Sequence, residues 1–299
     1  MPQVNAKPLF IHFAPFIFVV LWATGFVVAK LSAGHVAPVW FLALRFPLAG
    51  IFMLGLALVQ RAPWPDTRHA FHAAVTGAFL HALYLAPIYW AVANGLPAGV
   101  SSLIVGLQPL LTTFLAAGLL HETIGRRHGL GLIVGLVGIG LVIGPKVNLD
   151  ARGGITTLTV GLAVFGACAI SLGTVYQKKY ATGIALSTGG VWQYVGASLV
   201  VLLLSLALGD FAFDFSWQAW TALAWAVLVL SIISILLLVM LINKGQVSRV
   251  SAFIFLVPAV SSLMTYVLFS ERLIPLQLLG MAICAAAVFV VTQRRYGLA

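Results

Sequence analysis

Apolar runs of about twenty residues follow one another along almost the whole chain, and this constrains the fold more than any motif does. The hydrocarbon core of a bilayer is about 30 Å thick, and a helix rising 1.5 Å per residue needs about 20 apolar residues to cross it. Runs of that length fall near 10–30, 38–60, 70–92, 98–120, 127–145, 155–178, 186–208, 218–242, 248–269 and 274–293. Short breaks carrying charge, proline or glycine separate them, such as Arg61-Ala62-Pro63-Trp64-Pro65-Asp66 and Gly144-Pro145-Lys146. The expectation is an all-α membrane protein of ten transmembrane helices, with little chain left for a soluble domain. Composition agrees: 7% of residues are charged, against about a quarter in a soluble domain. The first run is too long for the apolar part of a cleavable signal and reads as a first span.

The net charge of +10 does not indicate nucleic acid. The basic residues sit singly or in pairs at the ends of apolar runs, as in cytoplasmic loops of membrane proteins. With the N-terminus in the cytoplasm, Lys7, Arg61, Arg68, Arg126, Arg127, Lys178, Lys179, Lys244, Arg249, Arg294 and Arg295 lie inside. Lys30, Lys146, Arg152 and Arg272 lie outside, and Arg45 lies within a span. That bias places both termini in the cytoplasm. The two cysteines, Cys168 and Cys284, fall inside apolar runs and read as free thiols. No cofactor or metal spacing is present.

The chain repeats itself. At an offset of 149 residues, Asn94 falls on Asn243, Ser102 on Ser251, Pro109 on Pro258, Glu122 on Glu271 and Gly131 on Gly280. At 148, Gly25 falls on Gly173, Lys30 on Lys178 and Ala49 on Ala197. Each half holds five spans, an odd number, so the second half must enter the bilayer from the opposite side. Inverted repeats of this kind are a transporter architecture, with the substrate site near the midplane between the halves.

The stretch Trp22-Ala23-Thr24-Gly25-Phe26-Val27-Val28-Ala29-Lys30, followed by Arg45 in the second span and then by Pro109, Glu122 and Gly131, resembles an EamA repeat of the drug/metabolite transporter superfamily. The resemblance covers nearly the whole chain as two EamA-like units, 10–150 and 155–295. It implies a ten-helix carrier in the inner membrane of a bacterium, exporting amino acids or related metabolites. Ala23 replaces the glycine usual after the tryptophan. Ile170 stands where the second half would have that tryptophan, and Gln193 stands where the first half has Arg45. This asymmetry points to the first half as the source of more specific polar contacts.

Arg45 is the only charge well inside a span, and an intramembrane charge is a functional candidate by default. It suits a carboxylate or other anionic group; the alternative is a structural arginine bonded to backbone carbonyls or snorkelling outward. His81, near the centre of span 3, shares a helical face with Tyr84, three residues on, and Tyr89 borders that face. A core histidine bonded to a neighbouring helix is the bland reading; proton coupling is the sharper one, although no Asp or Glu lies mid-span. Ser101, Gln108 and Thr112 form a stripe on span 4, and Ser251, Pro258, Ser262 and Thr265 a matching stripe on span 9 beside Tyr266. Such stripes line a cavity or pack helices together. Gln108, next to Pro109, is the strongest of them, because a proline frees a carbonyl one turn earlier. Trp22, Gln193 and Tyr194 lie deep enough to join them. The expected substrate contacts are therefore Trp22, Arg45, His81, Tyr84, Gln108, Gln193, Tyr194, Ser262 and Tyr266. Glu122 and Glu271 read as structural, each preceding the closing helix of its half.

The expected partners are a small-molecule substrate and the lipid bilayer, with no nucleic acid, in a monomer or homodimer. A drug or toxic-compound efflux carrier is the alternative function. An intramembrane enzyme fits less well. His121-Glu122 opens like a zinc-protease motif, but Gly125 stands where the second histidine belongs, and no G-x-S-x-G is present.

Overall fold

The computed structural model describes residues 8–120, 126–143, 155–243, 256–270 and 274–292. Glu122, Glu271 and Ser251 lie outside them. Among the described residues the helical segments are α1 (Pro8–Ser32), α2 (Pro38–Gln60), α3 (Thr67–Ala93), α4 (Ala98–Leu120), α5 (Arg126–Ile143), α6 (Thr157–Tyr180), α7 (Leu186–Leu208), α8 (217–243), α9 (Val257–Phe269) and α10 (Pro275–Thr292). Seven of them, α1–α4 and α6–α8, are long and apolar enough to cross a membrane. Local chemistry sets several ends. Asp66 caps α3 by accepting the His69 N–H at 2.8 Å, and Thr156 and Thr159 form a reciprocal capping box at the start of α6. Pro38 pre-sets the first turn of α2.

The duplication seen in the sequence extends to the backbone. α2 and α7 start and stop 148 residues apart, and α5 and α10 do so 149 apart. Arg61 and Gly209, which end α2 and α7, both adopt left-handed conformations, with φ of 48° and 66°. α4 breaks at Leu107, just before Gln108 and Pro109, and Leu256, 149 residues on, is the turn residue that opens α9. α3 and α8 each contain a wider π-helical stretch, Ala78–Leu83 and Ala226–Ile233.

Contacts between the halves also come in mated pairs. α3 packs on α7 as α8 does on α2, α3 on α6 as α8 on α1, and α4 on α6 as α9 on α1. α2, α4 and α5 each pack against their own counterpart, α7, α9 and α10. The counterparts α2 and α7 run antiparallel. At one end Ala37 N–H bonds to the Ala212 carbonyl at 2.9 Å, joining the loop before α2 to the loop after α7. At the other, Ser187 Oγ donates to Gln60 Oε1 at 3.0 Å and Thr188 Oγ1 to the Pro63 carbonyl at 2.9 Å. α4 and α9 are antiparallel too, since Gly99 faces Ser262 while Gly106 faces Pro258. Where α3 crosses α7 the backbones touch: a Cβ on Gly77 would run into the Gln193 carbonyl, and one on Gly196 into the Ala74 carbonyl.

Two apolar cores result. One holds Phe18, Tyr84, Ile88, Ile104 and Leu110 between α1, α3, α4 and α6. The other holds Phe41, Phe46, Tyr89, Tyr194 and Leu230 between α2, α3, α7 and α8. The outside is apolar as well: Ile51, Leu58 and Val59 on α2 and Leu199, Leu203 and Leu206 on α7 are exposed, Val59 to 84%. A surface of that kind suits contact with lipid rather than water.

Candidate functional site

Arg45 projects from α2 into the second core and is 7% exposed. Its Nε and Nη2 each donate to Ser231 Oγ at 3.3 Å, and its Nη1 donates to the Tyr89 hydroxyl at 3.4 Å. The Ser231 hydroxyl proton is committed elsewhere, to the Ala226 carbonyl at 3.0 Å inside the π-helical stretch of α8. Only its lone pairs are left to face the guanidinium. Tyr89 is held in place by stacking on Phe41, with centroids 5.4 Å apart and planes at 23°. A guanidinium has five N–H groups, and three are used here. One N–H on Nη1 and one on Nη2 have no partner among the described residues and are free to donate to carboxylate oxygens. All the partners are neutral hydroxyls at long distances. The positive charge is therefore buried without a counter-ion among the described residues, an expensive arrangement unless an anion joins it.

The repeat places a second polar pair opposite the first. Gln193 on α7 is the counterpart of Arg45. His81 and Ser231 each lie two residues before the end of a π-helical stretch, on α3 and α8. Arg45 bonds to Ser231, and the Gln193 side chain lies beside the His81 ring. His81 stacks on Tyr194 with centroids 4.9 Å apart and planes at 16°, and Phe46, the counterpart of Tyr194, lies 5.9 Å from His81. Ser231 neighbours the Tyr194 hydroxyl in turn. Arg45, Phe46, His81, Gln193, Tyr194 and Ser231 thus form one hub, in which Arg45 and Gln193, and Phe46 and Tyr194, are repeat counterparts and the permanent charge comes from the first half only. π-helical turns recur at functional sites, and here each supplies one polar member of the hub.

Four of the residues singled out from the sequence meet here: Arg45, His81, Gln193 and Tyr194. Tyr84 is buried in the neighbouring core, within range of the Arg45 charge. Trp22 packs on that same core, its ring 5.4 Å from Phe18. Gln108 sits at the break in α4, where its Nε2 donates to Thr174 Oγ1 at 3.4 Å and its carbonyl accepts from Ser171 Oγ at 3.3 Å. Ser262 lies in the α4–α9 crossing against Gly99, its hydroxyl 3.9 Å from Met281 Sδ. Tyr266 is 51% exposed on the outer face of α9. Ser101 and Thr112, from the α4 stripe, and Ser261 on α9 have buried hydroxyls without a hydrogen-bond partner among the described residues. Sequence reasoning missed Ser231, and it read Tyr89 only as bordering the His81 face rather than as a direct Arg45 partner.

Comparison with known proteins agrees with this architecture. The EamA-like transporter family matches residues 9–144 and again 157–293. A WAT1-related chloroplastic protein of Arabidopsis thaliana is 27% identical over 287 residues, covering 93% of this chain and 67% of the relative. An uncharacterized transporter of Archaeoglobus fulgidus is 23% identical, over 93% of this chain and 96% of the relative. A probable amino-acid metabolite efflux pump of Salmonella typhimurium is 26% identical, over 93% of each. A solved crystal structure superposes with a TM-score of 0.60 at 19% identity, over 94% of this chain and 96% of the other, a likeness of fold.

Proposed function

The chain belongs to the EamA-like transporter family, and on that premise we propose that it carries a small carboxylate-bearing metabolite of the amino-acid class across the cell membrane by alternating access. The two repeats insert as five spans each with opposite orientation, and both termini lie in the cytoplasm. The antiparallel course of α2 and α7 supports the inversion, and the distribution of Lys and Arg supports the orientation. The site is the hub where the halves meet, with Arg45 as its anchor and His81, Gln193, Tyr194, Tyr89 and Ser231 around it. Trp22, Tyr84 and Gln108 line the approach from the α1–α4–α6 side. Rocking of one half against the other opens the hub to each side in turn. The direction is export, the sense named for the Salmonella relative.

One observation carries this reading: among the described residues, a buried guanidinium at the junction of two repeats of a transporter family holds two donors unused and has no carboxylate beside it. The test is flux. Purified protein in proteoliposomes should move at least one member of a panel of amino acids and their carboxylate derivatives saturably. Arg45→Gln should abolish that movement. Flux no faster than in empty liposomes for every member of the panel would contradict the proposal.

A further inference from the structure

Resting on the reading of the hub as a carboxylate site, we infer that the solute is a net anion with a carboxylate and no ammonium group: a deaminated acid, such as a 2-oxo acid, rather than a zwitterionic amino acid. The argument is one of charge balance. The chain has six acidic residues: Asp66, Glu122, Asp150, Asp210, Asp214 and Glu271. The three that the structure describes, Asp66, Asp210 and Asp214, all lie in loops between helices. An ammonium group bound beside Arg45 therefore meets no carboxylate among the described residues.

The groups that do surround Arg45 make this worse for a cation. Ser231 directs its lone pairs at the guanidinium because its proton is held by the Ala226 carbonyl. The Tyr89 hydroxyl is likewise turned to accept from Arg45. The acceptor capacity nearest the carboxylate subsite is thus already spent on the fixed positive charge. An α-ammonium is one carbon away from its own carboxylate, so it would sit within a few ångströms of that charge, in a poorly screening interior. A zwitterion leaves the loaded hub with the same net charge as the empty one. A monoanion cancels it, and a neutral loaded site is the less costly one to enclose within a bilayer.

Matched pairs of ligands with one side chain and different α-substituents isolate the effect. The probes are 4-methyl-2-oxopentanoate against leucine and phenylpyruvate against phenylalanine, at neutral pH. The reading is the concentration that half-saturates the thermal stabilisation of the purified protein. In the unmodified protein each oxo acid should half-saturate at a concentration at least about tenfold below that of its amino acid. Arg45→Gln should erase that advantage, though the comparison within the unmodified protein stands without the variant. An amino acid that matches or outbinds its oxo acid in either pair overturns the inference and leaves the carboxylate carrier standing. No stabilisation by any of the four, with stabilisation by a cationic or uncharged solute, overturns both.

Discussion

At the scale of single residues, the most informative feature was legible before any coordinates: Arg45 is the one charge deep in a span, and a span admits a charge only for a reason. Its partner Ser231 was not legible. A serine in an apolar run looks the same whether it packs a helix or accepts from a guanidinium. Ser231→Ala removes two of Arg45's three acceptor contacts and leaves a buried cation less satisfied, which should cost about 1–3 kcal/mol. A lowered melting temperature of the ligand-free protein in detergent checks this, with Ser205→Ala as a control, since that hydroxyl has no partner among the described residues. A second residue-scale prediction concerns the loop after α7. Hydrogen bonds from the Ser216 side chain, from His35 and from the Ser216 backbone hold the Asp214 carboxyl at about 2, against an ordinary 3.8. His35 Nδ1 lies 2.6 Å from Asp214 Oδ2, so this cluster ties the loop before α2 to the loop before α8. A depressed carboxylate contributes stability above its ordinary value and loses it as pH falls toward about 2. The fall in melting temperature between pH 4 and pH 2 should accordingly be smaller in Asp214→Asn than in the unmodified protein.

At the scale of helices, the sequence located the seven helices that are long and apolar enough to cross a membrane because their apolar runs match the bilayer thickness, and Pro109 drew attention to Gln108, where α4 breaks. It did not reveal the π-helical stretches in α3 and α8. Ala78–Leu83 and Ala226–Ile233 read as ordinary apolar helix, since one extra residue per turn leaves no mark on composition. Nor did it identify which glycines bring helices together. The tightest backbone contact near the hub is at Gly77 and Gly196, between α3 and α7. Gly77→Ala puts a methyl group into the Gln193 carbonyl and displaces the residue that contacts His81. It should destabilise the protein by about 1–3 kcal/mol, as overpacking does, and reduce transport. Gly55→Ala, on α2 with open space around it, should do neither. Equal effects of the two substitutions on the melting temperature would refute the close crossing.

At the scale of the molecule, the duplication was readable from a handful of identities at a constant offset, and the helix ends, breaks and π-helical stretches repeat at nearly that offset. What the sequence could not supply is how two similar halves yield an uneven site. The first half gives the hub an arginine and a histidine, and the second gives it a glutamine and a serine. Opposed orientation of the halves is the claim on which the hub, the anion preference and alternating access all depend. It is tested most directly by thiol labelling in intact cells. With Cys168 and Cys284 replaced, single cysteines are placed at Gly34 and Asp210, in the loops before α2 and after α7, and at Arg61 and Gly183, in the loops after α2 and before α7. A membrane-impermeant reagent should modify positions 34 and 210 from outside and reach 61 and 183 only after the membrane is opened. Modification of 34 and 61 from the same side, or of 34 and 210 from opposite sides, would contradict the account.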